Sequence, residues 1–305
     1  MSYATSGSLY AEVVATQRLS PHLVRIVLGG EQMSGYEPLG VADEAVVLWF
    51  PKPGQDRPAP TTLKDGVWGH HDPDIAPPGR NYTIRAFEPG ENARMTIDFV
   101  VHPGGVAGEW AVNAGVGDVI LITRPRSWYE PPADAAWILA AADLTGLPAL
   151  ARIIEECPAD GPQVYAMVET ADAADLAALP ETQCNAAGVD ASVGTGNGVA
   201  PGALAELIAA KLPELISQGP GYVWYSGEAA QSREIRKLMR KTHGWPLDRV
   251  QTVGYWRQDA EVWNETFAQV GGDQLVQVYY QAIEKGLSSA EASEILDEEY
   301  EKAGL

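Results

Sequence analysis

Arg80-Asn81-Tyr82-Thr83, followed a little later by Asp98-Phe99-Val100-Val101-His102, is the stretch of sequence that decides the fold. A tyrosine offers a flat face to a ring system, a threonine offers a hydroxyl to a ring nitrogen, and an arginine offers a fork of donors to a phosphate. Residues 104–110 then read Gly-Gly-Val-Ala-Gly-Glu-Trp, and glycines let backbone N–H groups approach a pyrophosphate. This combination suits a flavin better than other common ligands, and it predicts an electron-transfer protein.

The sequence around these motifs is rich in β-forming residues. Short runs of branched and aromatic side chains, separated by glycine and proline, predict six strands. These strands lie at residues 9–16, 23–28, 45–50, 81–87, 94–101 and 119–123. We therefore expect residues 1–130 to form an antiparallel Greek-key β-barrel that binds FAD. Residues 51–79 are rich in proline and glycine and too polar for a core, so we predict a loop that covers a binding site or is mobile.

Strands alternate with helices after the Pro131-Pro132 break. We predict strands at residues 136–142, 163–169, 222–225 and 249–255, and helices at residues 147–156, 171–179, 204–215 and 228–242. This alternation is typical of a parallel sheet with helices on both faces, so residues 131–258 are predicted to form an α/β domain that resembles nicotinamide-binding domains. Residues 259–305 are predicted to add a helical C-terminal extension, with helices near 262–270 and 274–302 and a break near Gly286.

The charge of the chain limits its partners. The net charge of −20 over 305 residues disfavours binding to nucleic acid or to an anionic membrane. Residues 259–305 contain 11 acidic and 2 basic side chains and so contribute −9 of that charge. The sequence has neither an apolar run of about 18 residues nor a signal-peptide pattern, so we expect a soluble, cytoplasmic protein without a membrane span. Cys157 and Cys184 are expected to be reduced, with Cys157 buried on a helix.

Candidate cofactor contacts in the second half lie at the carboxyl ends of predicted strands. Asp143 and Thr145 follow the first of these strands, and Gly227-Glu228 follows the third. Ligands of open α/β sheets bind at this edge, but the same residues serve equally well as plain helix caps. Tyr255-Trp256 ends the last strand, and this pair is either part of the core or close to the flavin or substrate.

Two further patterns have simpler interpretations. We do not interpret Gly194-x-Gly196-x-Gly198 as a dinucleotide fingerprint, because no clean strand precedes it, its spacing is wrong and Pro201-Gly202 follows. His70-His71-Asp72-x-Asp74 has the spacing of a metal site, but it lies in the proline- and glycine-rich segment without a scaffold to fix ligand geometry. We therefore predict a solvated loop there and no metal site.

The order and spacing of the motifs resemble the siderophore-interacting protein family, flavin-dependent ferric-siderophore reductases related to the ferredoxin reductases. The resemblance covers roughly residues 8–257. Besides the motifs already quoted, it rests on Arg85, Gly117-Asp118, Ala142-Asp143-x-Thr145-x-Leu147-Pro148-Ala149, Trp224-x-x-Gly227-Glu228-Ala229 and Gly254-Tyr255-Trp256-Arg257.

The resemblance implies which residues bind each part of FAD. The isoalloxazine and its phosphate side would be held by Arg80, Tyr82 and Thr83. The rest of the cofactor would be lined by Asp98, Val100 and His102, and the pyrophosphate loop would contain Gly105, Ala107 and Trp110. The family often has a small hydroxyl residue where Gly108 stands and an acidic residue where Leu144 stands. These departures put one phosphate contact and details of the nicotinamide pocket in doubt.

The implied reaction is reduction of a ferric siderophore by NADH or NADPH through FAD. Because many ferric siderophores are anionic, we predict a local basic pocket formed by arginines near strand ends, namely Arg85, Arg124, Arg126 and Arg257. Two other functions remain open from the sequence. The protein could be a flavoprotein reductase that takes electrons from ferredoxin, or a siderophore-binding protein without enzymatic activity.

Overall fold

The N-terminal half of the protein is a closed antiparallel barrel. The computed structural model describes residues 7–64, 67–72, 76–102, 105–180 and 186–305, with the backbone alone at residues 67, 124 and 187. The barrel strands are β1 (Ser8–Arg18), β2 (Leu23–Gly29), β3 (Ala45–Trp49), β6 (Gly79–Glu88), β7 (Arg94–Val100) and β8 (Val119–Arg126). Their order is β1-β2-β7-β6-β3-β8, so β7 and β6 separate β2 from β3 as in a Greek key. The predicted barrel is confirmed.

The barrel closes because alternate residues of its strands are apolar and face inward. In β2, Val24, Ile26 and Leu28 are buried in the barrel core, whereas Arg25 between them is half-buried. Helix α1 (Val106–Asn113) packs against the same core through buried alanines in its first and second turns. The glycine-rich run of the sequence is therefore held beside β7 and β2.

The segment between β3 and β6 contains a hairpin that the sequence does not predict. Its strands, β4 (Thr62–Lys64) and β5 (Val67–Gly69), are too short to show a hydrophobic period. The Tyr10 hydroxyl donates to the carbonyl of Pro58 (3.0 Å), so the described part of this segment packs against the outside of the barrel.

The second half of the protein contains a five-stranded parallel sheet in the order β11-β10-β9-β12-β13. The strands are β9 (Trp137–Ala142), β10 (Gln163–Thr170), β11 (Ala186–Val193), β12 (Gly221–Glu228) and β13 (Val250–Trp256). Helix α2 (Leu147–Glu156) covers one face, and α3 (Leu204–Ile216) and α4 (Ala229–Lys237) cover the other. All residues of the central strand β9 are buried, which explains its uninterrupted apolar run. The predicted parallel α/β domain is confirmed.

Three elements of this domain differ from the prediction. The edge strand β11 is missed because its residues are small or polar and only one of its edges is paired. Residues 171–179, predicted to be a helix, contain a shorter 3₁₀ turn, Ala173–Ala178, which the Asp172 carboxylate caps. The helix predicted over residues 228–242 is α4 followed by a π turn, Leu238–Thr242.

The C-terminal extension forms three helices, where the sequence predicts two. These are α5 (Ala260–Gln269), α6 (Gly272–Glu284) and α7 (Ser289–Ala303), and we call them the C-terminal arm. The break near Gly286 is complete, because Gly286 adopts a left-handed φ of 87° and Ser288 begins α7 with a capping box to Glu291. None of the helices in the described residues is long and apolar enough to cross a bilayer.

Ion pairs and hydrogen bonds join the barrel to the α/β domain. The Arg85 guanidinium on β6 donates two hydrogen bonds to the Glu155 carboxylate on α2 (2.7 and 2.6 Å). One turn earlier on α2, Arg152 donates to the carbonyl of Ile84 (2.9 Å). Bidentate geometry of this kind fixes the orientation of both partners.

A second junction lies at the turn between β1 and β2. The Ser20 hydroxyl donates to the buried carboxylate of Asp175 (2.5 Å), and Nδ1 of His22 lies 3.1 Å from the same carboxylate. Because Asp175 belongs to the 3₁₀ turn after β10, the two domains are fastened at two separated places.

Candidate functional site

Tyr82 and Thr83 lie side by side on β6, where the sequence motif predicts the flavin ring. The Tyr82 ring is 4.4 Å from the ring of Phe99, and burial raises the pKa of its hydroxyl, which stays neutral. The Thr83 hydroxyl is buried and has no hydrogen-bond partner among the described residues. A buried hydroxyl without a partner costs free energy, so this position suits a ligand that completes the hydrogen bond.

The other residues of these two motifs differ in their exposure and in their partners. Arg80 is exposed and donates to the carbonyl of Gly79 (2.8 Å). Asp98 is buried, and its carboxylate accepts two hydrogen bonds from Arg25 (2.7 Å each), so it pairs β7 with β2. Val100 packs partly against the core of the α/β domain, and the exposed His102 follows the end of β7. The Asp98 carboxylate therefore already has a structural partner.

The glycine run brings the backbone close to His102. A Cβ atom on Gly105 would lie 2.7 Å from the His102 ring, and one on Gly108 would lie 3.0 Å from the carbonyl oxygen of Val100. The absence of a hydroxyl side chain at Gly108 thus matches the close packing there. Gly105 precedes α1, and no side chain caps the first turn of this helix, whose N–H groups can receive a pyrophosphate. Ala107 is buried below that turn.

Trp110 completes an aromatic wall next to Tyr82. Its ring lies 5.7 Å from Phe99 and 5.2 Å from Phe50, in tilted arrangements. Phe50 and Phe99 are buried in the barrel core, whereas Tyr82 and Trp110 are partly exposed and are the rings of this cluster that can contact a ligand. The orphaned Thr83 hydroxyl, this wall and the uncapped start of α1 together fit the ring and pyrophosphate of FAD.

Asp143 lies fully buried at the carboxyl end of β9. One carboxylate oxygen accepts hydrogen bonds from the backbone N–H (2.8 Å) and hydroxyl (2.6 Å) of Thr145, and the other accepts from the Trp256 indole (2.5 Å). Burial raises the pKa of Asp143, although these hydrogen bonds oppose the rise. Asp143 thus holds the turn that enters α2 and ties it to the end of β13.

Glu228 caps the next helix along the same edge. Its carboxylate accepts from the backbone N–H groups of Ala230 (2.6 Å) and Gln231 (3.0 Å), which begin α4. The preceding residue has to be glycine, because a Cβ on Gly227 would lie 2.7 Å from the Asp143 carboxyl carbon. Glu228 is therefore a helix cap, whereas Asp143 binds Thr145 in the turn before α2, and the contact of both residues with a nicotinamide stays a prediction.

Tyr255 brings the two domains together at this edge. Its hydroxyl is buried, and the hydroxyls of Thr83 on the barrel and Ser226 on β12 lie beside it without the geometry of a hydrogen bond, so all three lack partners among the described residues. Burial, and then the nearby charge of Asp43, raise the pKa of Tyr255. The structure thus places Tyr255-Trp256 between the predicted flavin face and the edge of the sheet, rather than within either domain's core.

The three predicted substrate arginines whose side chains the structure describes have different partners. Arg85 pairs with Glu155 across the domain junction, and Arg257 stacks on Trp263 of α5 at 3.9 Å. Arg126 lies 5.8 Å from the ring of Trp128, which in turn is 6.3 Å from Tyr255. The side chain of Arg124 lies outside the described part of the structure. Arg126 is therefore connected to Tyr255 through the ring of Trp128.

The glycine loop of residues 194–198 has a role that the sequence does not predict. A strand, β11, does precede it, which corrects one reason for dismissing the motif. Asn197, with a left-handed φ of 55°, accepts from the backbone N–H of Leu144 (2.9 Å) and donates to the carbonyl of Glu169 (3.2 Å). The Glu169 carboxylate accepts from the N–H of Ala203 (2.8 Å) at the start of α3. The positive φ that Asn tolerates is the signal that would have indicated this tight turn.

The histidine motif of the hairpin segment is engaged with backbone. Nε2 of His70 lies 2.8 Å from the carbonyl of Ala59, and Nε2 of His71 lies 3.0 Å from that of Thr62. Asp74 lies outside the described residues, and the described ones contain no group of three side chains able to hold a metal ion. Cys157, directly after α2, is buried, and its Sγ lies 3.4 Å from the carbonyl oxygen of Pro162. Cys184 is outside the described ranges.

A barrel with an uncapped helix start, followed by a parallel α/β domain, defines a class of two-domain proteins that bind FAD on the barrel. Comparison with protein families agrees. Residues 12–129 match the siderophore-interacting FAD-binding domain, and residues 135–259 match the siderophore-interacting protein domain. The chain therefore belongs to the siderophore-interacting protein family.

Individual relatives support this assignment. A siderophore utilization protein from T. fusca superposes with a TM-score of 0.66 and 32% identity, covering 83% of this chain and 93% of that one. The NADPH-dependent ferric-chelate reductase of Escherichia coli is 37% identical over 162 residues, which are 52% of this chain and 62% of that protein. The ferric vibriobactin reductase of Vibrio cholerae is 24% identical over 81% of this chain and 88% of its own length.

Proposed function

We propose that this protein is a ferric-siderophore reductase that takes electrons from NADH or NADPH through FAD. The observation that carries the proposal is the junction of Thr83, Tyr255 and Ser226. Three buried hydroxyls without partners face one another where the FAD-binding barrel meets the carboxyl edge of the sheet. The names of the Escherichia coli and Vibrio cholerae relatives support a ferric substrate and, for the former, NADPH as donor.

Different residues of the barrel would bind different parts of FAD. The Thr83 hydroxyl would donate to the isoalloxazine, and Tyr82 would pack against the ring. The first N–H groups of α1, next to Gly105, would bind the pyrophosphate, and the exposed Arg80 would bind a phosphate oxygen. The His102 ring lies close to Gly105, beside the start of this helix.

Bound FAD supplies the conversion between a two-electron hydride donor and one-electron reduction of Fe(III). The α/β domain positions the donor. Asp143, which accepts hydrogen bonds from both Thr145 and the Trp256 indole, orders the carboxyl edge of the sheet where a nicotinamide would bind. Tyr255 excludes water at the junction, because its ring fills the space between the barrel and β12.

The substrate arrives with its own iron ligands, so the protein has to recognise only the siderophore. Fe(II) binds hard oxygen donors less tightly than Fe(III), and reduction therefore weakens the complex. We propose that Arg126, beside Trp128 and Tyr255, attracts an anionic ferric siderophore to the crevice. Arg126→Glu should raise KM for such a substrate about tenfold and leave the KM for NADPH nearly unchanged. Arg249→Glu, at the opposite end of β13, is the matched control, and an equal KM in both variants would remove Arg126 from the site.

The experiment that tests the whole proposal is an anaerobic visible spectrum of the purified protein after incubation with FAD. We expect a flavin spectrum that bleaches on addition of NADH or NADPH and recovers on addition of a ferric siderophore. A bound flavin that stays oxidised with both nicotinamides, but bleaches with reduced ferredoxin, would show that the electron donor is ferredoxin and not a nicotinamide. A protein that takes up no flavin yet binds the ferric siderophore would overturn the reductase in favour of a binding protein.

A further inference from the structure

The C-terminal arm lies beyond both family matches, the second of which ends at residue 259. It nevertheless follows directly after β13, whose end lies at the junction of the two domains. Strand β13 ends at Trp256, whose indole donates to Asp143, and α5 begins four residues later at Ala260. Because so few residues separate the arm from Trp256, a displacement of the arm should also move the residues at the junction.

The arm contacts the α/β domain through two matched charged faces. The basic face consists of cations on α4 and the π turn that follows it, and the acidic face consists of carboxylates on α7. The pairs are Arg236 with Asp297, Lys237 with Glu301 (3.2 Å), Arg240 with Glu294 (3.1 Å) and Lys241 with Glu298 (2.7 Å). Residues spaced by three and four positions share one side of a helix, so α7 presents its carboxylates as a continuous row.

A second contact ties the arm to the end of β13. The guanidinium of Arg257 lies 3.9 Å above the ring of Trp263 on α5. Trp263 in turn packs against Phe267 (4.9 Å between ring centroids) and against Tyr300 of α7 (5.9 Å). Contacts among three aromatic rings thus connect α7 to Arg257, the residue after Tyr255-Trp256.

Little apolar burial holds the arm in place. Helix α5 has no buried residue, α6 buries only Gly272 and Ala282, and α7 buries only Ala292. The lysines and glutamates of the outer pairs are about half exposed. Exposed ion pairs are individually weak and are screened at moderate ionic strength, where the Debye length is about 10 Å at 0.1 M salt.

We propose that the C-terminal arm is an electrostatic strap that holds the end of β13 in place and loosens as ionic strength rises. While α7 is docked on the basic face, Trp263 holds Arg257, and the backbone at Tyr255-Trp256 stays fixed. When salt screens the exposed pairs, the docking of α7 weakens, Arg257 is released, and the end of β13 gains freedom. The strap acts on residues next to the site of the proposed reductase reaction, but its docking does not depend on that reaction.

The test is hydrogen–deuterium exchange on the full-length protein, read in peptides that cover residues 250–258 and the arm. In roughly 20 mM KCl we expect Lys241→Glu, and separately Glu298→Lys, to speed exchange in both regions about three- to tenfold. The double variant Lys241→Glu/Glu298→Lys should restore the slow exchange of the wild type. About 0.5 M KCl should make the wild type exchange as fast as the single variants. Lys211→Glu, which breaks an ion pair with Glu214 on α3, is the matched control and should change neither region.

Trp263→Ala separates the two contacts, because it removes the stack on Arg257 and leaves all four ion pairs in place. We expect faster exchange at residues 250–258 with less change in α7. Fast exchange in α7 without any change at residues 250–258 would show an appendage that is uncoupled from the crevice. Unchanged exchange in all charge variants would show that the ion pairs do not hold the arm. Either result overturns the strap, and neither bears on flavin reduction, which the anaerobic spectrum measures separately.

Discussion

The barrel face and the carboxyl edge of the sheet face each other across the crevice, yet they satisfy their polar groups in opposite ways. On the barrel, the Thr83 hydroxyl and the first N–H groups of α1 have no side-chain partner among the described residues. On the sheet, three helices follow β9, β11 and β12, and a backbone N–H group at or just before the start of each donates a hydrogen bond to a carboxylate. The donors are Thr145, Ala203 and Ala230, and their acceptors are Asp143, Glu169 and Glu228.

This difference distinguishes a site for a resident ligand from a site for a visiting one. A surface with unsatisfied donors gains most when a ligand completes them and loses most when the ligand leaves. A surface whose helix starts already hold carboxylates offers an anionic ligand little electrostatic attraction. We therefore expect FAD to stay bound to the barrel and the nicotinamide to bind the sheet weakly and leave quickly.

Asp143→Ala should have the largest effect on stability. The substitution leaves Thr145 and the Trp256 indole without their acceptor, so we expect the free energy of unfolding to fall by about 3 kcal/mol. Chemical denaturation of the flavin-free protein measures it, with Asp134→Ala, at the opposite end of the sheet and exposed, as the control. A loss no larger than that of the control would mean that the edge of the sheet does not depend on this carboxylate.

The pH dependence of Asp143 gives a second measurement at the same residue. Because its pKa is raised by folding, the folded state holds the proton to higher pH than the unfolded state does. The contribution of Asp143 to stability is thus full at low pH and is lost as the pH rises above the unfolded value of about 3.9. The neutral variant Asp143→Asn lacks this loss, so its stability relative to the wild type should improve from about pH 4 to pH 7. An unchanged difference over that range would contradict the raised pKa.

Tyr82→Ala should weaken FAD binding about tenfold, because it removes both ring contact and buried area next to the isoalloxazine. Fluorescence titration of the flavin-free protein with FAD gives the dissociation constant. Tyr165→Ala, on the amino end of β10 and bonded there to Gln163 and Gln218, serves as the control. Equal affinity in the two variants would place the flavin elsewhere.

The substitution Thr83→Val tests whether the Thr83 hydroxyl binds the ligand or stabilises the protein. Since the hydroxyl has no hydrogen-bond partner among the residues that the structure describes, its replacement by a methyl group should leave the flavin-free protein equally or more stable. The loss of one hydrogen bond to the flavin should weaken FAD binding by about 1 kcal/mol, or roughly fivefold. A variant that is less stable without flavin and binds FAD normally would reverse the assignment.

Glu228→Ser should have the smallest effect and should act on the nicotinamide. Serine still caps α4 but removes the negative charge, so KM for NADPH should fall about two- to threefold while FAD affinity is unchanged. Glu214→Ser on α3 removes a charge far from the edge and provides the control. If KM is the same in both variants, the phosphates of the nicotinamide do not approach α4.

The sequence predicts those parts of the fold that depend on regular patterns. The barrel strands alternate, β9 is a continuous apolar run, and α2 has one apolar face, so each appears in a short window of sequence. Strand β11 has no such pattern because it lies at an edge, and the β4–β5 hairpin is too short for one.

The residues of the site also differ in how far the sequence predicts them. The residue types of Arg80, Tyr82 and Thr83 indicate a flavin, and the family comparison agrees that this domain binds FAD. Which side chain meets which partner depends on contacts between distant residues. The pairing of Arg85 with Glu155, and of Arg257 with Trp263, therefore had no signal in the local sequence. The individual cofactor contacts stay predictions until a flavin is bound.

The fastening of the two domains has a consequence for electron transfer. Arg85 with Glu155 and Ser20 with Asp175 join the barrel to the sheet at separated points, and Asp175 is wholly buried. We expect two such fastenings to keep the barrel and the sheet at the same separation during the proposed reaction, so that the protein itself rearranges little with each electron. The reorganisation energy would then belong mostly to the iron complex, and siderophores that change shape least on reduction should react fastest.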